Sequence, residues 1–264
     1  MPSPVQKILL SRRRDVAYSD IHCHVLPGLD DGPSDAESSL KLARMASESG
    51  ARRIVATPHF LPGVFEPSPA DIRLQIRLLN ERLAQENIEV EVMEGCEAYL
   101  SESICRDYKD GKILTIAGSR HVLVELPSMS LPPGVLDELF ALRVLGAGVI
   151  LAHPERNLDL CRNPAIAREL AKNGILLQVN AGSLMGVYGR EADAFASSLF
   201  REGLVHFIGS DAHSGRSADL RSSGPDIRPA LRKAFRSQRD LERFISEMEE
   251  RFDRLTTGRD SIDR

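Results

Sequence analysis

The chain has 264 residues, of which 27% are charged, 42% hydrophobic and 5% aromatic. This excludes a disordered chain and suits one large α/β domain that needs no covalent staples, and the longest uncharged stretches fall short of the ~20 apolar residues of a membrane helix and contain polar breaks. With 34 Lys+Arg against 38 Asp+Glu, a net of −4, there is no basic footprint for nucleic acid.

Ile8-Leu9-Leu10 is followed by Arg12-Arg13-Arg14, too short an apolar run and wrongly flanked for a secretory signal. Cys23, Cys96, Cys105 and Cys161 form no C-x-x-C pair, and the expected compartment is the cytoplasm, without stable membrane insertion. Residues 16–21 predict a strand that leads to His22. After a Gly- and Asp-rich loop, a helix is predicted to open at Ser34, with Glu37 completing a capping box. Leu40, Ala43, Met45 and Ala46 form its apolar side, and Gly50 stops it. Residues 53–56 predict the second strand, and Ser68-Pro69 opens a helix with Ile72, Ile76, Leu79 and Leu83 at helical spacing.

Further strands are predicted at 88–93, 121–126, 148–152, 175–179 and 205–208, with helices near 101–109, 133–145, 163–173 and 191–202. About seven β/α units with apolar strands imply a parallel sheet covered by helices. Periodicity alone leaves a closed barrel and an open doubly wound sheet both open. The tail from Asp226 reads as charged helices packed outside, with a frayed end after Thr256. The whole chain, 1–264, is expected to be a single domain, with its motifs in 17–214 and a helical tail over 226–264.

Side chains able to hold metal recur where these strands end: His22-Cys23-His24, Asp30-Asp31, His59, Glu97, Glu125, His153 and Asp211-Ala212-His213. In parallel α/β folds the C-terminal strand ends share one face, where sites are assembled from several loops. Each residue has an ordinary reading alone. His-x-His places two rings on one side of a strand, Glu97 can cap a helix, Glu125 can face solvent, and His153-Pro154 can end a strand. Jointly these readings fail, because each must explain separately why a His or an acid marks nearly every strand end. His121 and His206, within or at the start of strands, read as structural.

Imidazoles and carboxylates without thiolate suit Mn²⁺, Fe or Zn²⁺, and the carboxylate share favours Mn²⁺. The ligands outnumber one tetrahedral site, so a cluster is expected, and a carboxylate such as Glu97 can bridge two cations ~3.5–4 Å apart. Cys23 and Cys96 are expected to be buried packing residues.

The segments Asp20 to Pro33, Ala56-Thr-Pro-His59, Glu94-Gly-Cys-Glu97, Val124-Glu-Leu-Pro127, Leu151 to Asn157, Gln178 to Ser183 and Gly209-Ser-Asp-Ala-His213 resemble the polymerase-and-histidinol-phosphatase (PHP) superfamily. Within it they resemble the manganese-dependent protein-tyrosine phosphatases of bacterial capsular and exopolysaccharide loci. The resemblance implies a distorted TIM-like (β/α)7 barrel with a three-metal centre, and as substrate a tyrosine kinase that regulates polysaccharide synthesis. By position, His22, His24, Glu97 and Asp211 would hold one metal. Glu97, Glu125 and His153 would hold a second, and Asp31, His59 and His213 a third. Arg156 matches a phosphate-contacting arginine, while Arg216, with Arg221 in reserve, is the counterpart of a second.

The chemistry agrees with that family. Clustered cations neutralise phosphate oxygens and lower the pKa of water, and arginine offers a planar fork to phosphate. A Cys-x5-Arg loop, an Asp-x-Asp pair, a P-loop and a Gly-x-Ser-x-Gly elbow are all missing, which leaves attack by a metal-bridging hydroxide. The alternatives are a phosphoesterase for a small metabolite such as histidinol phosphate, a metal-dependent amidohydrolase, and a non-catalytic module that keeps metal.

Overall fold

The computed structural model describes residues 17–214 and 224–258. Nine strands are described there: β1 (Tyr18–Cys23), β2 (Ala51–Ala56), β3 (His59–Phe60), β4 (Glu91–Met93), β5 (Glu97–Tyr99), β6 (His121–Glu125), β7 (Gly148–Ala152), β8 (Leu176–Asn180) and β9 (Phe207–Gly209). Between and after them lie helices α1 (Ala36–Glu48), α2 (Pro69–Gln85), α3 (Ile104–Lys109), α4 (Val135–Val144), α5 (Leu158–Arg162), α6 (Pro164–Lys172), α7 (Ala181–Leu184), α8 (Arg190–Arg201), α9 (Arg228–Ala234) and α10 (Gln238–Thr256).

All strand pairs are parallel, in the orders β1-β2-β4 and β3-β5-β6-β7-β8-β9. Only Thr57-Pro58 separates β2 from β3, and only Glu94-Gly95-Cys96 separates β4 from β5. Each of these pairs is therefore one stave broken by a bend. Gly95 sits at the second bend because a Cβ there would lie 2.7 Å from Val55 Cγ1. At the other edge, Asp211 N donates to His22 O at 2.9 Å and His24 N to Ala212 O at 3.0 Å, with Cys23 and Ala212 in a parallel bridge. The order thus returns from β9 to β1, and the staves form the distorted seven-membered α/β ring that the family resemblance implies.

Most strands lack polar alternation because both faces are covered, with exposed positions in β2 and β4. β1 and β7 are buried at every residue. The predicted strands at 88–93 and 205–208 are shorter than expected, and the short β3 and β5 have too few residues to leave a periodic signal. The capping box at Ser34 is not formed. Asp35 is the N-cap of α1, its carboxylate accepting from Ser38 N at 2.8 Å, a contact that an acid makes as well as a serine does. Met45 is only half-buried, and Leu42 takes its place on the buried side. Ser68 caps α2 as expected, with Pro69 at the first helical position.

The tail does more than pack outside. On α10, Leu241, Ile245, Met248, Phe252 and Leu255 are buried at alternating three- and four-residue spacing, each such side chain worth roughly 1.5–3 kcal/mol when fully buried. Glu249 accepts from Ser19 N at 2.6 Å and Ser19 Oγ at 2.9 Å, and Arg53 lies 4.4 Å over the Phe252 ring. This closes the end of the ring at the start of β1, leaving the opposite end to the loops. No helix among the described residues is long and apolar enough to cross a membrane.

Candidate metal centre

The strand ends, with the bends before β3 and β5, bring the expected side chains to one place. His22 and His24, two apart, project to the same side of β1. The β3–β5 register sets His59 opposite Glu97, and Glu125 ends the neighbouring β6. His153 and Asp211 follow β7 and β9 in left-handed backbone, with φ of 29° and 51°. That conformation is costly for residues with a Cβ and recurs at functional sites. Here it turns both side chains away from the strand direction.

Glu97 is fully buried at the convergence. Its Oε2 lies 3.3 Å from His22 Nε2, 3.3 Å from His24 Nε2 and 3.0 Å from His59 Nδ1, yet has no hydrogen-bond partner. Its Oε1 is 2.7 Å from His153 Nε2. Asp211 Oδ1 stands 3.5 and 3.4 Å from the same Nε2 atoms of His22 and His24. On the outer side, Asp31 Oδ1 lies 3.2 Å from His213 Nε2 and 3.5 Å from His59 Nε2, and Glu125 approaches His59 and His153 at 3.8 and 3.9 Å.

The far nitrogens of the rings decide which way these atoms point. Gln178 Nε2 donates to Asn180 Oδ1 at 2.9 Å, so its Oε1 accepts from His22 Nδ1 at 2.9 Å. His24 Nδ1 donates to Asp30 Oδ2 at 2.6 Å. In the neutral rings both Nε2 atoms then carry lone pairs, 3.3 Å apart, aimed at each other and at Glu97. Only cationic charge satisfies such a donor set. Burial by itself would lower His22, but Glu97 and Asp211 more than offset it and raise it to about 9. Burial would raise Glu97, whereas His22 and His59 hold it well below the usual carboxylate range. The groups His22/His24/Asp211, His22/Glu97/His153, His59/Glu97/Glu125 and His24/Asp31/His59/His213 each have ligand atoms close enough to share an ion.

Asp211 Oδ2 accepts from Asn180 Nδ2 at 2.7 Å and from Arg156 Nη1 at 2.8 Å. The Arg156 guanidinium lies 4.6 Å over the Tyr188 ring, and the Tyr188 hydroxyl is 3.5 Å from the same oxygen. The segment Gln178 to Ser183 carried part of the family resemblance, but the orienting roles of Gln178 and Asn180 and the place of Tyr188 were not legible in the sequence, where amides and a lone tyrosine carry no ligand signal. Asp30 did stand in the strand-end series, but only the fold shows it orienting His24. Gly209 is needed beside this network, since a Cβ there would lie 2.7 Å from His22 Cβ and 2.8 Å from Gln178 Nε2. Arg216 and Arg221 lie outside the described residues. Cys23 and Cys96 are buried and free. His206 is structural, its Nδ1 accepting from Leu177 N at 3.0 Å.

Residues 18–236 match the model of the capsular polysaccharide synthesis CpsB/CapC family. The chain belongs to the CpsB/CapC family. Among its relatives is the tyrosine-protein phosphatase YwqE of Bacillus subtilis, 35% identical over 201 residues, which are 76% of this chain and 79% of that protein. Another is the tyrosine-protein phosphatase CpsB of Streptococcus pneumoniae, 28% identical over 74% of this chain and 82% of that one. A crystal structure from work on YwqE and CpsB, described as metal-dependent tyrosine phosphatases, superposes with a TM-score of 0.79 at 32% identity, covering 90% of this chain and 94% of the other. The phosphotriesterase homology protein of Escherichia coli, at 14% identity and a TM-score of 0.57 over 89% of this chain and 98% of that one, shares the fold with this CpsB/CapC member.

Proposed function

We propose that this chain is a metal-dependent tyrosine-protein phosphatase that acts in the cytoplasm on a tyrosine kinase controlling capsular or exopolysaccharide assembly. The observation that carries the reading is the orphaned Glu97 Oε2, ringed by imidazole nitrogens one carboxylate away from Arg156. Its relatives YwqE and CpsB are named tyrosine-protein phosphatases. In this reading His22, His24, Glu97 and Asp211 hold one cation, Glu97, Glu125 and His153 a second, and Asp31, His59 and His213 a third. Mn²⁺ suits the carboxylate-rich donors best, and Fe or Zn²⁺ fits the same ligand types. Divalent cations bound there supply charge neutralisation to phosphate oxygens and acidify water.

The chain's own residues do the rest. Asp30 and Gln178 fix the histidine tautomers, and Asn180 holds Asp211 in place. Arg156, supported on the Tyr188 face, donates to phosphoryl oxygens with its fork. Arg216, with Arg221 as reserve, is the second phosphate-side arginine of this reading. No thiol is poised to attack: burial pushes Cys96 up to about 12 and Cys161 to about 11, and nucleophilic cysteines need the opposite shift.

The test is elemental analysis of the purified chain with phosphotyrosine-peptide turnover, before and after chelation and on return of Mn²⁺, Fe²⁺ or Zn²⁺. Chelation is expected to abolish turnover, Mn²⁺ to restore it best, and iodoacetamide to leave it intact. Turnover that survives complete metal removal, or is abolished by alkylation with metals retained, overturns the reading.

A further inference from the structure

Three loop segments, the third including the short α7, follow the C-terminal ends of β3, β6 and β8 beside the candidate metal centre, and their chemistry departs from that of the chain. Across residues 61–68, 127–134 and 181–189 the only charged side chain is Glu66, in a chain that is 27% charged. Surface loops ordinarily carry polar and charged residues, so exposed apolar side chains on each of three segments flanking one site are a candidate contact surface. Here Val64 is 65% exposed, Met129 69% and Met185 48%, one on each loop.

Contacts tie all three loops to the site. Phe65, beside Val64, stacks on the His59 ring with centroids 6.0 Å apart. The Met129 loop is clipped to the Arg156 turn, with Asn157 Nδ2 donating to Pro127 O at 2.6 Å and Leu158 N to Ser128 O at 2.9 Å. Tyr188, three residues after Met185, lies under the Arg156 guanidinium. Val64 thus adjoins a residue that stacks on His59, Met185 lies three residues from one under Arg156, and Met129 lies on a segment bonded to the turn that carries Arg156. All three segments flank the place where a phosphate would be held.

We infer that these loops form an uncharged, apolar docking rim for the polypeptide on either side of a phosphotyrosine, and that the preferred substrate segment has apolar neighbours rather than acidic ones. The inference rests on the phosphatase reading above and extends it from the phosphate to the substrate chain. Methionine suits such a rim, because its flexible thioether adapts to different apolar partners. A small phosphate ester reaches the cations and Arg156 without touching the rim. A phosphopeptide buries the rim side chains against its own, and acidic neighbours gain nothing there while losing hydration.

The test compares p-nitrophenyl phosphate with two phosphotyrosine peptides of equal length, one flanked by Val, Leu and Ala, the other by Asp and Glu. The intact chain is expected to favour the apolar peptide by about tenfold in kcat/KM, carried by KM. A triple variant, Val64→Ser with Met129→Ser and Met185→Ser, is expected to lose that preference while hydrolysing p-nitrophenyl phosphate as before, which also reports that it folds. Equal turnover of both peptides by the intact chain overturns the docking rim, as does a preference that survives in the triple variant. Failure to hydrolyse any of the three esters with metal bound removes the phosphatase reading itself, and the rim with it.

Discussion

Arg156 Nη1 donates to Asp211 Oδ2 at 2.8 Å, which ties the residue proposed to grip phosphate to a proposed metal ligand. The other oxygen of Asp211 faces the Nε2 atoms of His22 and His24. Asn180 donates to Oδ2 independently at 2.7 Å, so Asp211 stays oriented when Arg156 moves. Arg156→Ala is therefore expected to keep its metal and fold yet lose ~10²–10³-fold in kcat/KM, the worth of one charge-assisted donor to developing charge. Arg156→Lys is expected to recover only part, because a point charge does not reproduce the planar fork. Wild-type kcat/KM in the alanine variant, with metal content measured alongside, would move the clamp to Arg216 or Arg221.

Glu97→Gln is expected to cost more than any other single ligand change. Its Oε2 is the buried atom that three imidazoles face, and the amide replaces a shared anion with a neutral group. Metal content should fall and turnover should drop by on the order of 10³-fold or more. Glu125, 19% exposed at its side chain and at the rim of the cluster, should cost less metal when changed to Gln. Equal metal loss in the two variants would remove the bridging role of Glu97.

Asp30 tests the orientation of His24. Its carboxylate accepts from His24 Nδ1 at 2.6 Å and from His59 N at 3.0 Å, so it holds one ring and anchors the strand that carries another. Asp30→Asn should weaken metal binding ~10–100-fold, the usual cost of losing such an outer partner. Calorimetric titration of the chelated protein with Mn²⁺ reads this directly, and an unchanged affinity would limit Asp30 to loop structure.

His206 offers a pH test away from the cluster. Burial, helped by Arg251, lowers it from 6.5 to about 4, and its neutral Nδ1 accepts from Leu177 N. The unfolded chain then binds a proton that the folded chain refuses. Its contribution is fully present above pH 6.5 and is lost as the pH falls toward 4, by up to ~3 kcal/mol. His206→Asn keeps an acceptor without titrating, so urea midpoints of the two chelated proteins should converge or cross between pH 7.5 and 4.5. Parallel midpoints across that range would contradict the shift.

Much of this molecule was legible one residue at a time. His22, His24, Glu125, His153, Asp211 and His213 were legible because they lie at or just after the C-terminal ends of strands, which a parallel sheet gathers on one face. A pattern that recurs at most strands survives errors in any single boundary. His59 and Glu97 join them from the two bends, each opening the second half of a stave. The burial of Cys23 and Cys96 followed in the same way. The breaks in two staves did not, because β3 and β5 have two and three residues, too few for any periodicity.

The partner-dependent details belong to the tertiary structure alone. Which of the adjacent Asp30 and Asp31 turns toward His24, and which atom of Gln178 faces His22, depend on contacts with residues up to 156 positions away. The same holds for Arg156, whose partner Asp211 is 55 positions on. Local sequence determines the chemistry that each strand end carries and the helices between them. The pairing of lone pairs with protons, and of charges with one another, is decided only when ring closure brings those ends within hydrogen-bond reach, because such contacts are short-ranged and have no signature along the chain.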